Sequence, residues 1–250
     1  MFARPRLLPL ADHAWTVEFA DAIEPAALDR VAAFAAAVER ARRDDPALAA
    51  VVDVVPTFRS LTVHLDPPGA GGDALAARLL ALADGLDATP RRGRLWHLPA
   101  SFADAFAPDL GALAAAAGLD PAAAVALLVA ARFRVAMIGF MPGFPYMTGL
   151  PEPLRRARRA TPRTAVPARS LAVAEEMCAV YPWPSPGGWH LVGSTPLDLF
   201  DPADPDPALL AAGDTVVWRP VDAAEYADLR ADLLAGRRNR RDFLAAEDAP

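Results

Sequence analysis

Hydrophobic and polar positions in the first hundred residues follow two periods. Alternation with a period of two, as in Trp15–Phe19 and Leu61–Leu65, predicts half-buried strands. Hydrophobic residues three and four positions apart predict two amphipathic helices, the first of which begins at Pro25. With a last strand at Arg94–Leu98, the order of elements is the ferredoxin-like β-α-β-β-α-β plan. We therefore expect an α+β platform domain over residues 1–98.

The pattern changes in the second part of the chain. Residues 99–132 predict a helical connector, in which Asp120 caps a helix that has Pro121 in its first turn. Over residues 133–220, short apolar runs are separated by Pro and Gly, which is typical of a β-barrel or a β-sandwich. Residues 221–250 predict a surface helix and a tail. The predicted fold class is α+β, a small ferredoxin-like domain followed by a barrel domain.

The composition excludes several classes of protein. The 250 residues are 54% hydrophobic, which is enough for a folded core and excludes wholesale disorder. The 25 cationic and 31 acidic residues give a net charge of −6, so we expect no nucleic-acid partner. Every cationic residue is Arg. Because the chain has no Lys, it has no Walker-type phosphate loop, no Schiff base and no biotin or pyridoxal attachment site.

The distribution of Cys, His and apolar residues narrows the picture further. Cys178 is the single Cys, which excludes an internal disulfide, and the four widely spaced His form no metal-binding pattern. The longest apolar run, Pro121–Ala131, is too short to span a bilayer. The first residues lack the pattern of a secretory signal. We expect a cytoplasmic protein with no membrane partner and no metal ligands of its own.

Three segments of the barrel half carry residues suited to chemistry. In Gly139–Tyr146, glycines permit close approach of the backbone and aromatics form a wall, although a rigid turn that packs its own aromatics is an equal alternative. Arg158–Arg163 places guanidinium groups on a proline-braced loop, suited to a carboxylate or phosphate, yet a solvated charge run explains the charge alone. In Pro184–Gly193, two glycines can offer N–H groups to an anion beside His190, which is either a proton carrier or an ordinary strand residue. The basic run Arg237–Arg241 suits an anionic partner or, more simply, a solvated helix end.

These three segments, in this order, resemble the family of the 5-oxoprolinase B subunit, also called allophanate hydrolase subunit 1. That family includes an inhibitor of a sporulation histidine kinase and the homologous part of urea amidolyase. The residues that carry the resemblance are Leu8–Leu10, Val54–Pro56, Arg59–Leu61, Ile138–Tyr146, Gly149–Leu150, Arg158–Thr164, Val166–Ala168, Tyr181–Pro182, Ser185–Gly193, Thr195–Leu197 and Phe200–Pro202. The resemblance covers nearly the whole chain and implies a small α+β domain followed by a cyclophilin-like β-barrel.

The resemblance also implies a place in a larger enzyme. A protein of this family pairs with a larger partner, the C subunit, and the pair works with a third chain, the A subunit. ATP, with its Mg²⁺, activates the carbonyl of the 5-oxoproline lactam by phosphorylation, and hydrolysis then gives glutamate. Cationic groups would stabilise the developing charge, which is chemistry suited to arginine.

Residues for such a site are carried over from the matching motifs. The residues expected to act in catalysis are His190 and Arg163. Those expected to bind substrate or its anionic groups are Phe140, Gly143, Phe144, Tyr146, Arg159, Thr161, Arg163, Ser185, Gly187, Gly188 and Trp189.

The chain departs from the family pattern at several positions, and these departures leave alternatives open. Leu128 stands where the family has His, Glu175–Cys178 where it has Gly-Gly-Gln-Thr, Arg169 where it has Gly, and Ser194 where it has Arg. One alternative is a silent binding protein of the kinase-inhibitor kind. Another is an enzyme for a different amide or a urea-derived substrate such as allophanate, with Glu175 or Glu176 as a general base and Cys178 in the pocket. Two exposed Glu at a turn are the simpler interpretation.

Overall fold

The first compact unit of the chain is a four-stranded sheet with two helices. The computed structural model describes residues 1–70, 72–86 and 93–245, and the chain divides into the units Met1–Arg92 and Gly93–Pro250. The elements of the first unit are β1 (Arg6–Leu10), β2 (Ala14–Glu18), α1 (Pro25–Ala41), β3 (Val51–Pro56), β4 (Ser60–Leu65) and α2 (Gly72–Asp84). The sheet order is β1-β2-β4-β3, and all neighbouring strands are antiparallel.

The core of this unit follows the predicted periodicities. Leu61, Val63 and Leu65 of β4 are buried, whereas the alternate positions of that strand are half-buried. On α1, hydrophobic residues at helical spacing face the same core, and the ring of Phe34 lies 5.4 Å from that of Phe19. The alternation therefore sets which face of the sheet the helices cover.

The structure corrects the place of one predicted strand. The strand expected at Arg94–Leu98 is β5 (Leu95–Ala100), and it pairs in parallel with β13 (Thr215–Pro220) in the sheet of the second unit. In the first sheet, β1 occupies the edge beside β2 that the last strand of the predicted plan would take. Most of β1 is exposed and it contains Pro9, both of which an edge strand tolerates. Because β1 does not alternate, its sequence did not predict a strand.

The helical connector has the predicted form. Its helices are α3 (Leu110–Ala116) and α4 (Pro121–Ala130), and the Asp120 side chain accepts the N–H of Ala123 over 2.7 Å at the start of α4. Gly118 ends the first helix region with a φ of +70°, which favours glycine. Within the described residues, no single helix is long and apolar enough to cross a membrane, and the apolar pair α3 and α4 is bent by 93°.

A seven-stranded sheet in the second unit confirms the predicted barrel. Its strands in spatial order are β12 (His190–Ser194), β9 (Ser170–Ala174), β10 (Met177–Val180), β7 (Pro145–Thr148), β6 (Phe133–Ile138), β13 and β5. The two outer strands meet through Ser101 and Ser194, whose backbones exchange N–H···O bonds of 2.8 and 2.9 Å. A two-stranded ribbon of β8 (Arg163–Val166) and β11 (Ser185–Gly187) and a last α-helix, α5 (Ala223–Leu234), complete the described strands and α-helices of this unit. The barrel thus closes on itself, which satisfies its edge strands.

A buried carboxylate fixes the ends of the parallel pair β5 and β13. Asp214 is 2% exposed and accepts hydrogen bonds from the indole of Trp96, the N–H of Ala211 and both the backbone and the guanidinium of Arg94. The two donors with the largest side chains, Arg94 and Trp96, both lie at the start of β5. Because these donors are partly or fully buried, they have no equivalent partner if the carboxylate is removed.

We expect Asp214→Ala to lower the free energy of unfolding by about 3 kcal/mol, because it leaves a buried indole N–H and a guanidinium without their acceptor. Urea denaturation followed by Trp fluorescence measures this loss. Asp228→Ala, at an exposed position of α5, is the control and should change the free energy by less than about 0.5 kcal/mol. Equal effects of the two substitutions would contradict the role given to Asp214.

Candidate functional site

Backbone contacts join two of the predicted segments. The N–H of Arg159 donates to the carbonyl of Gly188 over 2.7 Å. The Nε2 of His190 lies 2.9 Å from the carbonyl oxygen of Ala157, and since a carbonyl only accepts, the ring donates there. The arginine loop therefore lies directly on the Pro-Gly-Gly-Trp segment. This bond occupies one nitrogen of His190, and its role as a proton carrier stays a prediction.

Phe144 is the centre of an aromatic cluster that joins the remaining segment, Gly139–Tyr146, to the Pro-Gly-Gly-Trp segment. It is buried, and its ring lies edge to face at 4.9 Å from Tyr146, 5.1 Å from Tyr181 and 6.1 Å from Trp189. Phe140 stands at the outer end of the cluster, 64% exposed and 5.4 Å from Phe144. Such aromatic pairs add stabilisation beyond the area they bury. Tyr181, to which only the resemblance pointed, belongs with the predicted aromatics.

Close approach explains two of the predicted glycines. A Cβ on Gly187 would lie 2.3 Å from the hydroxyl oxygen of Tyr181. Gly143 has a φ of +76°, and its Cβ would lie 2.5 Å from the Cβ of Phe200. Around Gly188 the nearest atom would be 3.7 Å away, an ordinary contact. Gly187 and Gly143 are therefore required by the packing of aromatic rings, whereas Gly188 contributes its carbonyl group.

Two predicted arginines meet at a carboxylate that the sequence analysis did not single out. Arg163 Nη2 and Arg159 Nη1 donate to one oxygen of Asp109 over 2.7 and 3.1 Å, and the N–H of Leu191 donates to the other over 2.7 Å. Asp109 precedes α3, yet its side chain makes no capping bond to that helix. The use of Asp109 as an arginine anchor could not be predicted from the sequence pattern.

The negative charge of Asp109 does not fully neutralise the two arginines that contact it. Burial raises the pKa of this carboxyl, but hydrogen bonds from Arg163 and from the N–H of Leu191, with the charges of Arg163 and Arg159, outweigh burial and hold the pKa below its ordinary value. The group is therefore a carboxylate at neutral pH. One carboxylate facing two guanidinium groups leaves an excess of one positive charge.

A cavity of about 330 Å³ lies beside this group. Arg163 and Arg169 line it together with the hydroxyl-bearing Ser170, Ser194 and Tyr226, and its other walls are Ala, Pro, Leu and Phe side chains. No acidic residue of the described chain lines it. Nη1 of Arg163 and Nε of Arg169 are buried and have no hydrogen-bond partner within residues 1–70, 72–86 and 93–245. Two arginine side chains and a mostly apolar wall suit a small organic anion.

Arg169 takes a costly backbone conformation to reach this cavity. Its φ is +68°, in the left-handed region that residues with a Cβ rarely adopt. The backbone is fixed on both sides, because its N–H donates to Tyr181 and its carbonyl accepts from the hydroxyl of Ser194 and the N–H of Thr195. The departures at 169 and 194 are thus neighbours in space. Compared with the family pattern, the chain lacks an arginine at position 194 and gains one at position 169. The positive charge therefore stays in the same part of the molecule.

The remaining predicted site residues lie outside this cavity. Thr161 is exposed on the arginine loop, and Ser185 donates to the carbonyl of Pro186 within β11. Arg159 contacts Asp109 but does not line the cavity.

The other departures from the family pattern are structural. Leu128 is fully buried in the barrel core. Glu175 and Glu176 form the tight turn between β9 and β10, where Glu175 is exposed and has a φ of +53°. Cys178 is fully buried in the same core, and burial raises the pKa of its thiol. The alternative that placed Cys178 in a pocket is therefore wrong, because its strand position faces the packed interior.

We expect Asp109→Asn to lower stability at neutral pH and to have less effect in acid. The lowered pKa of Asp109 gives a contribution that is complete above its unfolded-state pKa of about 3.9 and is lost as the pH falls through the folded-state value. Free energies of unfolding from pH 7 to pH 2 should therefore converge for wild type and variant below about pH 4. Asp104→Asn, at an exposed position, should follow wild type throughout. A constant gap at all pH values would contradict this account of Asp109.

Comparison with known proteins identifies relatives of similar length. The 5-oxoprolinase B subunit of Escherichia coli O157:H7 is 40% identical over 171 residues, which cover 68% of this chain and 78% of that protein. The protein of the same name from Bacillus subtilis (strain 168) is 30% identical over 240 residues, which cover 90% of this chain and 97% of that protein. The crystal structure of TTHA0988 is similar with a TM-score of 0.70 at 32% identity, and the match covers 84% of this chain. The chain spans only 40% of that solved protein, which continues beyond the matched region.

A family profile matches most of the sequence. Residues 5–210 match the carboxyltransferase domain, subdomain C and D. The matched range contains the aromatic cluster, Asp109 and both arginines of the cavity. The chain belongs to the family of the carboxyltransferase domain, subdomain C and D.

Proposed function

We propose that the chain is the B subunit of an ATP-dependent 5-oxoprolinase, which opens 5-oxoproline to glutamate together with the A and C subunits, of which C is the larger partner of this chain. Two relatives that are named as B subunits of 5-oxoprolinase, one of them matched over 97% of its length, support this assignment. The solved relative in which the matched region is 40% of a longer chain supports a larger partner. We place the complex in the cytoplasm, where ATP is available.

The observation that carries the proposal is the cavity between Arg163 and Arg169. The substrate 5-oxoproline is a small ring with one carboxylate and one amide carbonyl. A guanidinium binds a carboxylate through two parallel hydrogen bonds, and two arginines line this cavity. The volume of about 330 Å³ is at the lower end of ligand pockets, as a small ring requires.

Some residues of the cavity would orient the ligand, and others would exclude water. Arg163 is held by Asp109 through Nη2, which fixes the orientation of its guanidinium beside the cavity. Apolar walls that include Phe106 and Leu191 lower the local polarity, so each charged hydrogen bond is stronger than in water. Arg169, at the other wall, would neutralise charge that develops on the amide oxygen.

ATP, with its magnesium ion, supplies the phosphoryl group that makes the amide carbonyl reactive. The donor set fits such a group, because Arg163 and Arg169 line the cavity with guanidinium groups, and phosphoryl oxygens are acceptors of the same kind as carboxylate oxygens. The same two arginines would also accept allophanate, another small anion with an amide group. A binding protein without catalytic activity would keep the fold and lose only the turnover.

We expect Arg163→Ala to raise KM for 5-oxoproline about 10- to 100-fold, the effect of losing a charged hydrogen bond. The assay is glutamate release by the chain co-purified with its A and C subunits, with and without ATP, and with allophanate as a second substrate. Arg132→Ala, which changes an exposed arginine outside the cavity, is the control. Thermal melting of both variants separates loss of binding from loss of fold.

Wild-type activity that requires ATP, with KM for 5-oxoproline raised in Arg163→Ala and unchanged in Arg132→Ala, would support the proposal. Turnover of allophanate without turnover of 5-oxoproline would identify allophanate as the substrate. A stable complex without turnover of either compound would favour the binding protein. Full activity of Arg163→Ala would overturn the role of the cavity.

A further inference from the structure

A second cavity, of about 560 Å³, lies between loops of the barrel and the segment after α5. It shares Ala168 and Arg169 with the smaller cavity, so the two cavities flank the same short stretch of backbone. Its volume is within the range of small-molecule sites, and it is large enough for a ligand of nucleotide size. Only residues of the second unit line it.

One wall of this cavity is aromatic. Trp183 is 41% exposed, and its ring lies 6.1 Å from that of Phe200 at an angle of 60°. At this angle the two rings are not stacked in parallel, so Phe200 covers at most one face of the indole. An exposed indole face at the wall of a cavity is a stacking surface for a flat ring.

The charged lining consists of four arginines and three aspartates. Asp198 is shared by Arg169 at 3.2 Å and Arg230 at 2.6 Å, so one carboxylate faces two guanidinium groups. Nε of Arg169 is buried without a partner in the described chain. Four guanidinium groups against three carboxylates leave the described lining with an excess of one positive charge.

Among the described residues, the basic run after α5 contributes one arginine without an ion pair to the cavity. Arg240 and Arg241 are paired with Asp204, and Arg237 with Asp232. Arg238 has no ion pair in the part of the chain that the structure describes, and its guanidinium lies 5.7 Å from the ring centre of Phe243. Most of this run is therefore neutralised internally. Arg238 is the member that lines the cavity without an acidic partner among the described residues.

We propose that this cavity binds a nucleoside triphosphate, with its base against Trp183 and its phosphates toward Arg169, Arg230 and Arg238. The inference rests on the proposed function, because the same chain would then hold the nucleotide beside the amide substrate. Arg169, which lines both cavities, would be the residue shared by the two ligands. An aromatic face and clustered guanidinium groups are the two features that recognise a flat base joined to phosphates.

The test is equilibrium binding to the chain as purified, followed by quenching of Trp fluorescence and by isothermal titration. The probes are ATP with magnesium, inorganic tripolyphosphate and adenosine. We expect ATP to bind more tightly than either part alone. Trp183→Leu should weaken ATP binding about tenfold, the loss of one stacked base, and should leave tripolyphosphate binding unchanged.

Arg238→Gln and Arg237→Gln form the matched pair. Both remove one charge from neighbouring positions, but only Arg238 lines the cavity. Arg238→Gln should weaken binding of ATP and of tripolyphosphate about tenfold, and Arg237→Gln should change neither by more than about twofold. Circular dichroism and thermal melting of each variant confirm that the fold is intact.

Equal effects of the two arginine substitutions, or ATP binding that is unchanged in Trp183→Leu, would overturn the proposal. Binding of tripolyphosphate as tight as that of ATP would also overturn it, since the cavity would then be a plain anion site. The result is separable from the proposed function. If the assembled enzyme turns over 5-oxoproline while Trp183→Leu and Arg238→Gln keep wild-type KM for ATP and wild-type binding, the nucleotide lies elsewhere and the function stands. If ATP binds as described but no turnover is found, the site stands and the function does not.

Discussion

The position of the candidate site depends on one buried carboxylate. Asp109 joins three separate parts of the second unit. It precedes α3, it accepts hydrogen bonds from the guanidinium groups of Arg159 and Arg163, and it accepts the N–H of Leu191 in β12. Its own N–H donates to the carbonyl of Leu191 over 3.1 Å. A buried charge is tolerated only where donors surround it, and here the donors are the guanidinium groups that the site needs. The anchor thus fixes Arg163 while leaving part of its guanidinium free.

The barrel provides the rigid frame for this arrangement. Its closure through Ser101 and Ser194 fixes the end of β12, and the next residues contact the backbone of Arg169. The left-handed φ of Arg169 is held by these bonds, so local strain is offset by the closed sheet around it. The aromatic cluster around Phe144 holds the adjoining loop in the same way. Function-bearing loops are therefore positioned by packing rather than by their own sequence.

Much of this could be predicted from the sequence, and the failures have physical reasons. Periodicity predicted the two long helices and most strands of the first hundred residues, and short apolar runs separated by Pro and Gly predicted the barrel. The matching motifs pointed to Arg163, Phe144 and Trp189. Strand β1 was missed because an exposed edge strand carries no alternation. The predicted place of β5 in the first sheet was wrong, because the sequence of a strand does not specify its partner. That partner, β13, lies 120 residues later, as the register of Leu95 with Thr215 shows. Asp109 was missed because its arginine partners lie 50 and 54 residues later, and the pattern around Asp109 does not specify such distant contacts.

The central claim is that a small anion lies between Arg163 and Arg169, and a crystal structure of the assembled complex with 5-oxoproline tests it most directly. The account predicts density for the ring in the smaller cavity, with its carboxylate within hydrogen-bond distance of the Arg163 guanidinium. Density for the ligand at another place in the complex, with this cavity filled only by water, would contradict it.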